Sequence, residues 1–373
     1  MPDTAIRKAD SRNPIRDRPA VTAAIPTFRR PALLKRAVKS VLNQTYENVR
    51  VVVSDNASGD ETPEVLAKLA ESDSRVTYHI QDKNRGPIAN FEFVKNQVHT
   101  PYFSFLSDDD LLLPHFYDHA IERLSEAPSA KFFCGQVVML DPDRGTYAIR
   151  PRKVWSNGVY QAGSATVKML EKMFIWTGSV FSKDVRDRVG PFAESGGADI
   201  DFLVKAAATF AFVVSLTPVA VFSAYERRQV HTIPPKGLAF CYRDALRSIR
   251  EQGVVGQEGL TKLRDELREK FKVIIGQRLN RHFIEGDWER FDEAARALRG
   301  LRGLPASKRI RMALGNSRSR NTWLTRFVRA TMARIKEWKL LRESGGDTCT
   351  MDELVAKFSL SARGHAEDPS STG

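Results

Sequence analysis

The sequence contains little cysteine and no long apolar run. Its three cysteines, Cys134, Cys241 and Cys349, lie far apart without a Cys-x-x-Cys pair, which argues against a disulfide framework or a zinc site. No apolar stretch reaches the roughly 18 residues that a membrane-spanning helix needs. The amino-terminal residues also lack the apolar core of a secretory signal. We therefore expect a cytoplasmic protein in a reducing compartment.

The chain has an excess of positive charge, most of it in one stretch. Its 373 residues carry a formal net charge of +13, and 42% of them are hydrophobic, which is enough for a substantial core. Residues 301–346 contain 12 Lys or Arg and 2 Asp or Glu, a net charge of +10. This distribution predicts an anionic partner, such as acidic lipid, a phosphorylated substrate or nucleic acid.

Strand and helix patterns alternate in the first third of the chain. Buried-strand patterns at residues 21–25, 49–54, 76–80 and 102–106 are separated by helical patterns at 31–43, 62–70 and 88–98. Such alternation is typical of βαβ units. It predicts an α/β fold with a Rossmann-like, mostly parallel sheet flanked by helices.

The patterns divide the chain into four regions. We expect a disordered tail over 1–19, an α/β domain over 20–235 whose halves meet near residue 115, a helical basic extension over 236–345 and a flexible tail over 346–373. In the second half of the α/β domain the alternation loosens. There we predict a polar loop between about 141 and 163, and two short strands at 212–214 and 219–225.

Polar clusters follow three of the predicted strands. They are Pro26-Thr-Phe-Arg29, Asp55-Asn-Ala-Ser-Gly-Asp60 and Ser107-Asp-Asp-Asp110. In open α/β sheets, ligands bind outside the carboxyl ends of the strands. Three adjacent carboxylates repel one another, and oxygen-rich groups suit Mg²⁺ or Mn²⁺ held together with substrate phosphates. The alternative is a solvated acidic loop that caps the helix beginning near Pro114.

Together these motifs resemble those of inverting family 2 glycosyltransferases with a GT-A fold. The matching segments are Ala24-Ile-Pro-Thr-Phe-Arg-Arg-Pro-Ala-Leu-Leu34, Ser40-Val-Leu-Asn-Gln-Thr-Tyr46, Val53-Ser-Asp-Asn-Ala-Ser-Gly-Asp-Glu-Thr62, Asn84-Arg-Gly86 and Phe105-Leu-Ser-Asp-Asp-Asp-Leu-Leu-Leu-Pro114. The resemblance is specific over residues 21–115, weaker to about 232 and absent beyond. It implies transfer of a sugar, with inversion, from a nucleotide-diphosphate donor to a glycan or lipid-linked acceptor in bacterial cell-surface polysaccharide synthesis. It also implies a UDP-sugar donor and Mn²⁺ or Mg²⁺ as cofactor.

The resemblance assigns residues to the donor site. The donor-binding residues that it implies are Pro26, Thr27, Arg29, Asp55, Asn84, Arg85, Gly86, Asp108 and Arg228. Asp55 would accept a hydrogen bond from the base, and Asp108 would bind the ribose. The residues themselves allow simpler roles, because Asp55 beside Asn56 is also a turn former and Arg85 is also a plausible surface charge.

The metal ligands depend on the register of the acidic motif. Aligning the acidic motif that the resemblance implies by counting back from Pro114 selects Asp109 as the ligand, with Asp110 in support, whereas an Asp-x-Asp pattern selects Asp108 and Asp110. We favour Asp109 and, as the resemblance implies, expect Asp110 and His231 to complete the site. The alternative for His231 is a structural role.

The resemblance also implies a general base and an acceptor site. Asp199, in Gly196-Gly-Ala-Asp-Ile-Asp-Phe202, takes the position of the aspartate that deprotonates the acceptor hydroxyl, and Ala198 replaces the usual Glu. Trp176, Gly178 and Asp201 would face the acceptor. Alternatively, Asp199 is a helix N-cap, Asp201 a first-turn charge and Trp176 a core residue.

Residues 320–342 predict a basic amphipathic helix. Leu324, Phe327, Val328, Thr331, Ile335 and Trp338 share one face, with Arg326, Arg329 and Lys336 across from them. This pattern indicates either a helix in an anionic membrane interface or a helix packed on the α/β domain. No nucleic-acid motif accompanies the charge, so we expect no nucleic-acid partner.

Two other functions compete with the enzymatic one. A sugar nucleotidyltransferase shares a similar sheet but usually has a glycine-rich loop after its first strand, and Ile25-Pro-Thr-Phe-Arg-Arg30 contains no glycine. A non-catalytic protein that binds lipid or nucleic acid through its basic stretch would leave the acidic motif and Asp199 without a role.

Overall fold

The fold is that of a computed structural model, which describes residues 18–141, 145–150, 154–192, 198–223, 239, 242–243, 246–247, 249–251, 253, 256–299, 305–315, 322–343 and 350–363. The strands are β1 (Val21–Thr27), β2 (Val49–Asp55), β3 (Val76–Ile80), β4 (Tyr102–Phe105), β5 (Leu111–Leu112), β6 (Ala130–Asp141), β7 (Thr146–Arg150), β8 (Gly158–Tyr160), β9 (Ser179–Ser182) and β10 (Ala211–Ser223). A short 3-10 helix, Trp176–Gly178, precedes β9.

The helices surround this sheet and continue beyond it. In the first part they are α1 (Pro31–Leu42), α2 (Thr62–Ser72), α3 (Pro87–Asn96), α4 (Phe116–Glu126), α5 (Thr166–Glu171), α6 (Lys183–Val189) and α7 (Ala198–Thr209). In the extension they are α8 (Gln257–Glu285), α9 (Trp288–Arg299), α10 (Ala306–Leu314), α11 (Trp323–Glu343) and α12 (Met351–Arg363).

The described strands form one mixed sheet in the order β3-β2-β1-β4-β9-β6-β10-β5, with β7 beside β6 and β8 beside β10. The first four strands are parallel, because a helix returns the chain to the same edge between successive strands. In the second half, β9 is antiparallel to both of its neighbours. The sheet is therefore parallel only where the βαβ alternation is clear, and mixed beyond it.

The second half also differs from the sequence prediction in detail. Strands β7 and β8 occupy part of the expected polar loop, and both are only partly buried, which weakens their apolar alternation. The two expected strands near residues 212 and 220 are one strand, β10. Its register against β6 shifts around Pro218, a residue without an amide proton to donate, and this break produced the two-strand pattern.

The buried faces explain why the first elements form where they do. β1 is buried along its whole length, as expected for a central parallel strand covered by helices. In α1, Leu34, Ala37, Val38 and Val41 are buried at helical spacing, and Pro31 occupies the first turn, where its missing amide proton costs nothing.

The helical extension packs on the α/β domain. Ile275, Leu279 and Phe283 of α8 belong to the same buried cluster as Phe202 of α7. The sequence predicts a flexible tail over 346–373, but α12 lies within it: Leu354 is fully buried against Leu111 and Leu113. Among the helices of the described residues, none combines the length and the apolarity that crossing a bilayer would need.

Candidate active site

The carboxyl ends of β1 and β4 meet at the centre of the site. The two strands are parallel neighbours, with Ala24 opposite Phe105, so the loops that follow them lie side by side. Thr27 Oγ1 donates a hydrogen bond of 2.8 Å to Asp108 Oδ2, and both side chains are buried. The structure thus brings together two residues that the sequence assigns to the donor site.

Arg30 supplies the cation that faces the acidic motif. Its Nη1 lies 3.0 Å from Asp108 Oδ1 and 2.8 Å from Asp109 Oδ2. The residues predicted from the sequence include Arg29 but not Arg30, because the two neighbouring arginines of the Arg29-Arg30-Pro31 run cannot be told apart by sequence. The cap position of α1 directs this second arginine across the end of β1 toward β4.

Arg29 instead links the first two loops. Its φ of 56° is in the left-handed region, its amide donates to Ser58 Oγ at 2.8 Å, and its Nε donates to the Ser58 carbonyl at 2.9 Å. The Ser58 hydroxyl in turn donates to the carboxylate of Asp55, which is fully buried. The described contacts of Asp55 are therefore those of a turn, the simpler of the two roles that its sequence position allows.

A second set of polar contacts joins the loops after β2 and β3. Asn56 Nδ2 donates to Asn84 Oδ1 at 2.9 Å, and the Arg85 amide donates to Asn56 Oδ1 at 2.9 Å. Gly86 precedes α3 with a φ of 83°, a conformation that favours glycine. The guanidinium of Arg85 forms an exposed ion pair with Asp82 at 2.8 Å.

Asp110 points to partners other than Arg30. Its carboxylate is fully buried and accepts hydrogen bonds from Thr177 Oγ1 at 2.8 Å and the Ser223 amide at 3.0 Å. Burial raises the pKa of Asp110 to about 7, and the two hydrogen bonds counteract this rise only partly. Asp110 therefore ties β4 to β10 and to the 3-10 helix, while Asp108 and Asp109 face the cation.

Asp108 and Asp109 have the chemistry of a divalent-cation site. Their carboxylate oxygens converge on one positive group, and hard oxygen donors suit Mg²⁺ and Mn²⁺. Burial raises the pKa of Asp108, and the Arg30 charge and the Thr27 hydrogen bond counteract it. In the part of the chain that the structure describes, no group of three or more His, Cys, Asp or Glu is arranged to hold a metal.

Asp199 lies in the first turn of α7. The Ile200 amide donates to Asp199 Oδ1 at 2.9 Å, and burial raises the pKa of the Asp199 carboxyl. Phe202 packs edge-on against Phe105, with ring centroids 5.5 Å apart. Since Phe105 ends β4, this contact brings the start of α7 to the same edge of the sheet as the acidic motif.

The other residues assigned to the acceptor are enclosed. The centroid of the Trp176 ring lies 4.7 Å from that of Phe91 and 4.8 Å from that of Phe105, and Trp176 is only 8% exposed. Trp176 therefore lies in the aromatic core, which is the alternative to an acceptor role that its sequence position allows. At Gly178 a Cβ would meet Val137 Cγ2 at 2.6 Å. Asp201 is buried and paired with Lys205 at 2.8 Å.

Two further candidates, Arg228 and His231, lie outside the described residues.

The chain is similar in sequence to known glycosyltransferases. Residues 22–190 match the family model Glycosyl transferase family 2. A β-1,3-glucosyltransferase of Campylobacter jejuni, named for GalNAc(5)-diNAcBac-PP-undecaprenol, is 33% identical over 109 residues, which are 29% of this chain and 35% of that one. An uncharacterized glycosyltransferase of Rickettsia typhi is 29% identical over 140 residues, 37% of this chain and 43% of the relative. The match thus spans less than half of each relative.

The fold has a counterpart among solved structures. TarS 1–349 of S. aureus, in complex with UDP-GlcNAc, superposes with a TM-score of 0.52 at 15% identity, over 80% of this chain and 88% of that one. At this identity the likeness concerns the fold.

Proposed function

Because residues 22–190 match the family model Glycosyl transferase family 2, we propose that this protein transfers a sugar from a nucleotide-diphosphate donor to a glycan or lipid-linked acceptor. We infer further that the transfer depends on a divalent metal and inverts the anomeric centre. The TarS structure, which has a similar fold, holds UDP-GlcNAc, so UDP-sugars are the first donors to test.

The observation that carries the proposal is the cluster of Thr27, Arg30, Asp108 and Asp109 at the carboxyl ends of β1 and β4. Two buried carboxylates beside a hydroxyl and a guanidinium match the needs of a sugar diphosphate with its metal. The ribose and diphosphate need hydrogen-bonding and charged partners, and the carboxylates supply oxygen ligands.

In this proposal Asp109 holds the metal, with Asp108 beside it, and Asp110 fixes the loop through Thr177 and Ser223. A bound Mn²⁺ or Mg²⁺ would offset the negative charge that develops on the departing diphosphate. Pro26, Thr27 and Arg29 form one wall of the donor site, and Asn84, Arg85 and Gly86 form another. Arg228 and His231 remain candidates for the phosphate and the metal.

We propose Asp199 as the general base. A base must accept the proton of the acceptor hydroxyl as its oxygen attacks the anomeric carbon. Burial raises the pKa of Asp199, which makes its carboxylate a stronger proton acceptor than an exposed aspartate. Asp201 and the Trp176–Gly178 turn would support the acceptor side through packing.

A lipid-linked acceptor would require the protein to work at a membrane. The Campylobacter jejuni relative is named for a saccharide on undecaprenol-PP. On α11, Leu324 is 50% exposed and Phe327 is 55% exposed, with Arg326 exposed between them. The same helix packs on the protein through Arg329, whose Nη2 donates to the Ile284 carbonyl at 3.2 Å. We propose that α11 is anchored on α8 and offers its outer face to an anionic leaflet.

The proposal is tested with the purified full chain and a panel of nucleotide sugars. We expect one donor to be hydrolysed slowly in the presence of Mn²⁺, and Asp109→Asn to abolish this hydrolysis. Asp184→Asn, an exposed carboxylate on α6, is the matched control and should keep wild-type hydrolysis. Full activity of Asp109→Asn at low Mn²⁺ would contradict the metal assignment, and lack of binding to every donor would contradict the function.

A further inference from the structure

The acidic pair of Asp108 and Asp109 is buried, whereas the cation that it holds is not. The side chains of Asp108 and Asp109 are 7% and 2% exposed, and that of Arg30 is 44% exposed. Thr27 fixes Asp108 by a hydrogen bond of 2.8 Å, and Ser223 Oγ donates to the Asp109 carbonyl at 2.6 Å. The anionic partners are thus held in place, and the guanidinium reaches them from the solvent side.

The same oxygens cannot serve two cations at once. One Arg30 nitrogen, Nη1, bridges Asp108 Oδ1 and Asp109 Oδ2 at 3.0 and 2.8 Å. This is the position between two carboxylates that a divalent ion would take if Asp108 and Asp109 bound it. Without any cation there, two adjacent buried carboxylates would repel each other strongly. Arg30 therefore offsets part of the negative charge of the pair in this structure and also occupies the place between the two carboxylates.

We propose that Arg30 is an exchangeable cation: it holds the acidic pair in the absence of metal, leaves it when a divalent ion binds, and then faces the nucleotide diphosphate. This inference rests on the proposed function, because it needs the metal and the nucleotide at this site. The exposed position of Arg30 gives its side chain room to move. A guanidinium that has left the carboxylates finds phosphate oxygens, which match its fork geometry, as its next partners.

The test is the affinity of the full chain for Mn²⁺ without nucleotide, measured by calorimetry. Arg30→Gln removes the charge but retains length and hydrogen bonding. We expect it to bind Mn²⁺ about tenfold more tightly than the wild type, because the ion no longer displaces a charge-assisted pair. Arg123→Gln removes an exposed arginine from a helical ion pair and should leave Mn²⁺ affinity unchanged.

A second measurement separates the two states of Arg30. With saturating Mn²⁺, UDP should bind Arg30→Gln about tenfold more weakly than it binds the wild type, because the guanidinium no longer faces the diphosphate. Arg30 would then oppose metal binding and favour nucleotide binding. A residue that only supports the fold would weaken both.

The outcomes are distinguishable. If a folded Arg30→Gln protein binds Mn²⁺ no more tightly than the wild type does, the exchange is overturned. If Mn²⁺ binding by this variant still depends on Asp109, the proposed function stands. Absence of Mn²⁺ binding in the wild type and Arg30→Gln alike overturns the exchange together with the metal dependence. Arg30→Met repeats the measurement if the glutamine variant does not fold, and failure of both to fold makes Arg30 a structural cation and overturns the inference.

Discussion

Lys205 and Asp201 form a buried ion pair on α7, with Lys205 Nζ 2.8 Å from Asp201 Oδ2. Their side chains are 9% and 1% exposed, respectively. Lys205 also lies 3.5 Å from the Pro191 carbonyl, close to the segment that leads to α7. The pair thus fixes the first turns of the helix that carries Asp199.

Removing one partner of this pair should be costly. We expect Lys205→Met to lower the free energy of unfolding by about 3–5 kcal/mol, because it removes the cation that is paired with a buried carboxylate. Asp201→Leu combined with Lys205→Met should recover most of this loss. Urea unfolding of the single and double variants measures both effects. Arg123→Met, which breaks the exposed pair with Glu126, should cost at most about 1 kcal/mol. An equal cost for Lys205→Met and for the double variant would show that the loss does not come from breaking the ion pair.

Asp199→Asn should separate binding from transfer. If Asp199 is the base, transfer to the acceptor falls by about 10²–10⁴-fold, while affinity for the nucleotide stays at the wild-type value. Rates come from transfer assays with an identified donor, and affinities from calorimetry with UDP and Mn²⁺. Loss of nucleotide affinity would instead make Asp199 a binding residue. Asp184→Asn again serves as the control.

His119 should make stability sensitive to mild acid. The pKa of His119 is lowered to about 4, mainly by burial and to a smaller extent by the nearby charges of His115 and Arg123. Its Nε2 lies 2.8 Å from Ser215 Oγ. The pKa of His119 in the folded protein lies below the ordinary value of about 6.5. The contribution of neutral His119 to the free energy of unfolding is therefore complete above about pH 6.5 and is lost as the pH falls toward 4.

We therefore expect the wild type to lose roughly 2 kcal/mol more than His119→Gln between neutral pH and pH 4, since glutamine keeps a polar partner for Ser215 and does not titrate. Urea unfolding at several pH values measures the difference. Parallel pH profiles of the two proteins would exclude His119 as the titrating group.

The outer face of α11 should determine membrane binding. We expect Leu324→Ser combined with Phe327→Ser to reduce binding to anionic vesicles by about tenfold or more, because two exposed apolar side chains no longer enter the interface. Ile80→Ser removes a side chain of similar exposure, 51%, from β3 and should leave vesicle binding unchanged. Co-sedimentation with anionic and neutral vesicles at low and high salt is the assay. If all variants sediment equally with the vesicles, the proposal that α11 binds an anionic membrane is wrong.

The sequence by itself predicted the first half of the fold and the edge of the sheet at which the candidate site lies. Periodicity marked β1 to β4 and the helices between them most clearly at the start, because β1 and β2 are almost entirely buried and α1 and α2 each have one apolar face. The polar residues after β1 and β4 could be placed together since parallel strands end at the same edge. The second half was less clear, because its edge strands are partly exposed and β10 is interrupted at Pro218.

Only the tertiary structure decided which side chains meet. Three consecutive aspartates are equivalent in a sequence, but the turn after β4 directs Asp108 and Asp109 to Arg30 and buries Asp110 against Thr177 and Ser223. Likewise, nothing in the sequence distinguishes Arg29 from Arg30. Their directions depend on a left-handed residue at Arg29 and on contacts 29 and 78 positions away in the chain. Such long-range contacts are the part of the site that local patterns do not encode.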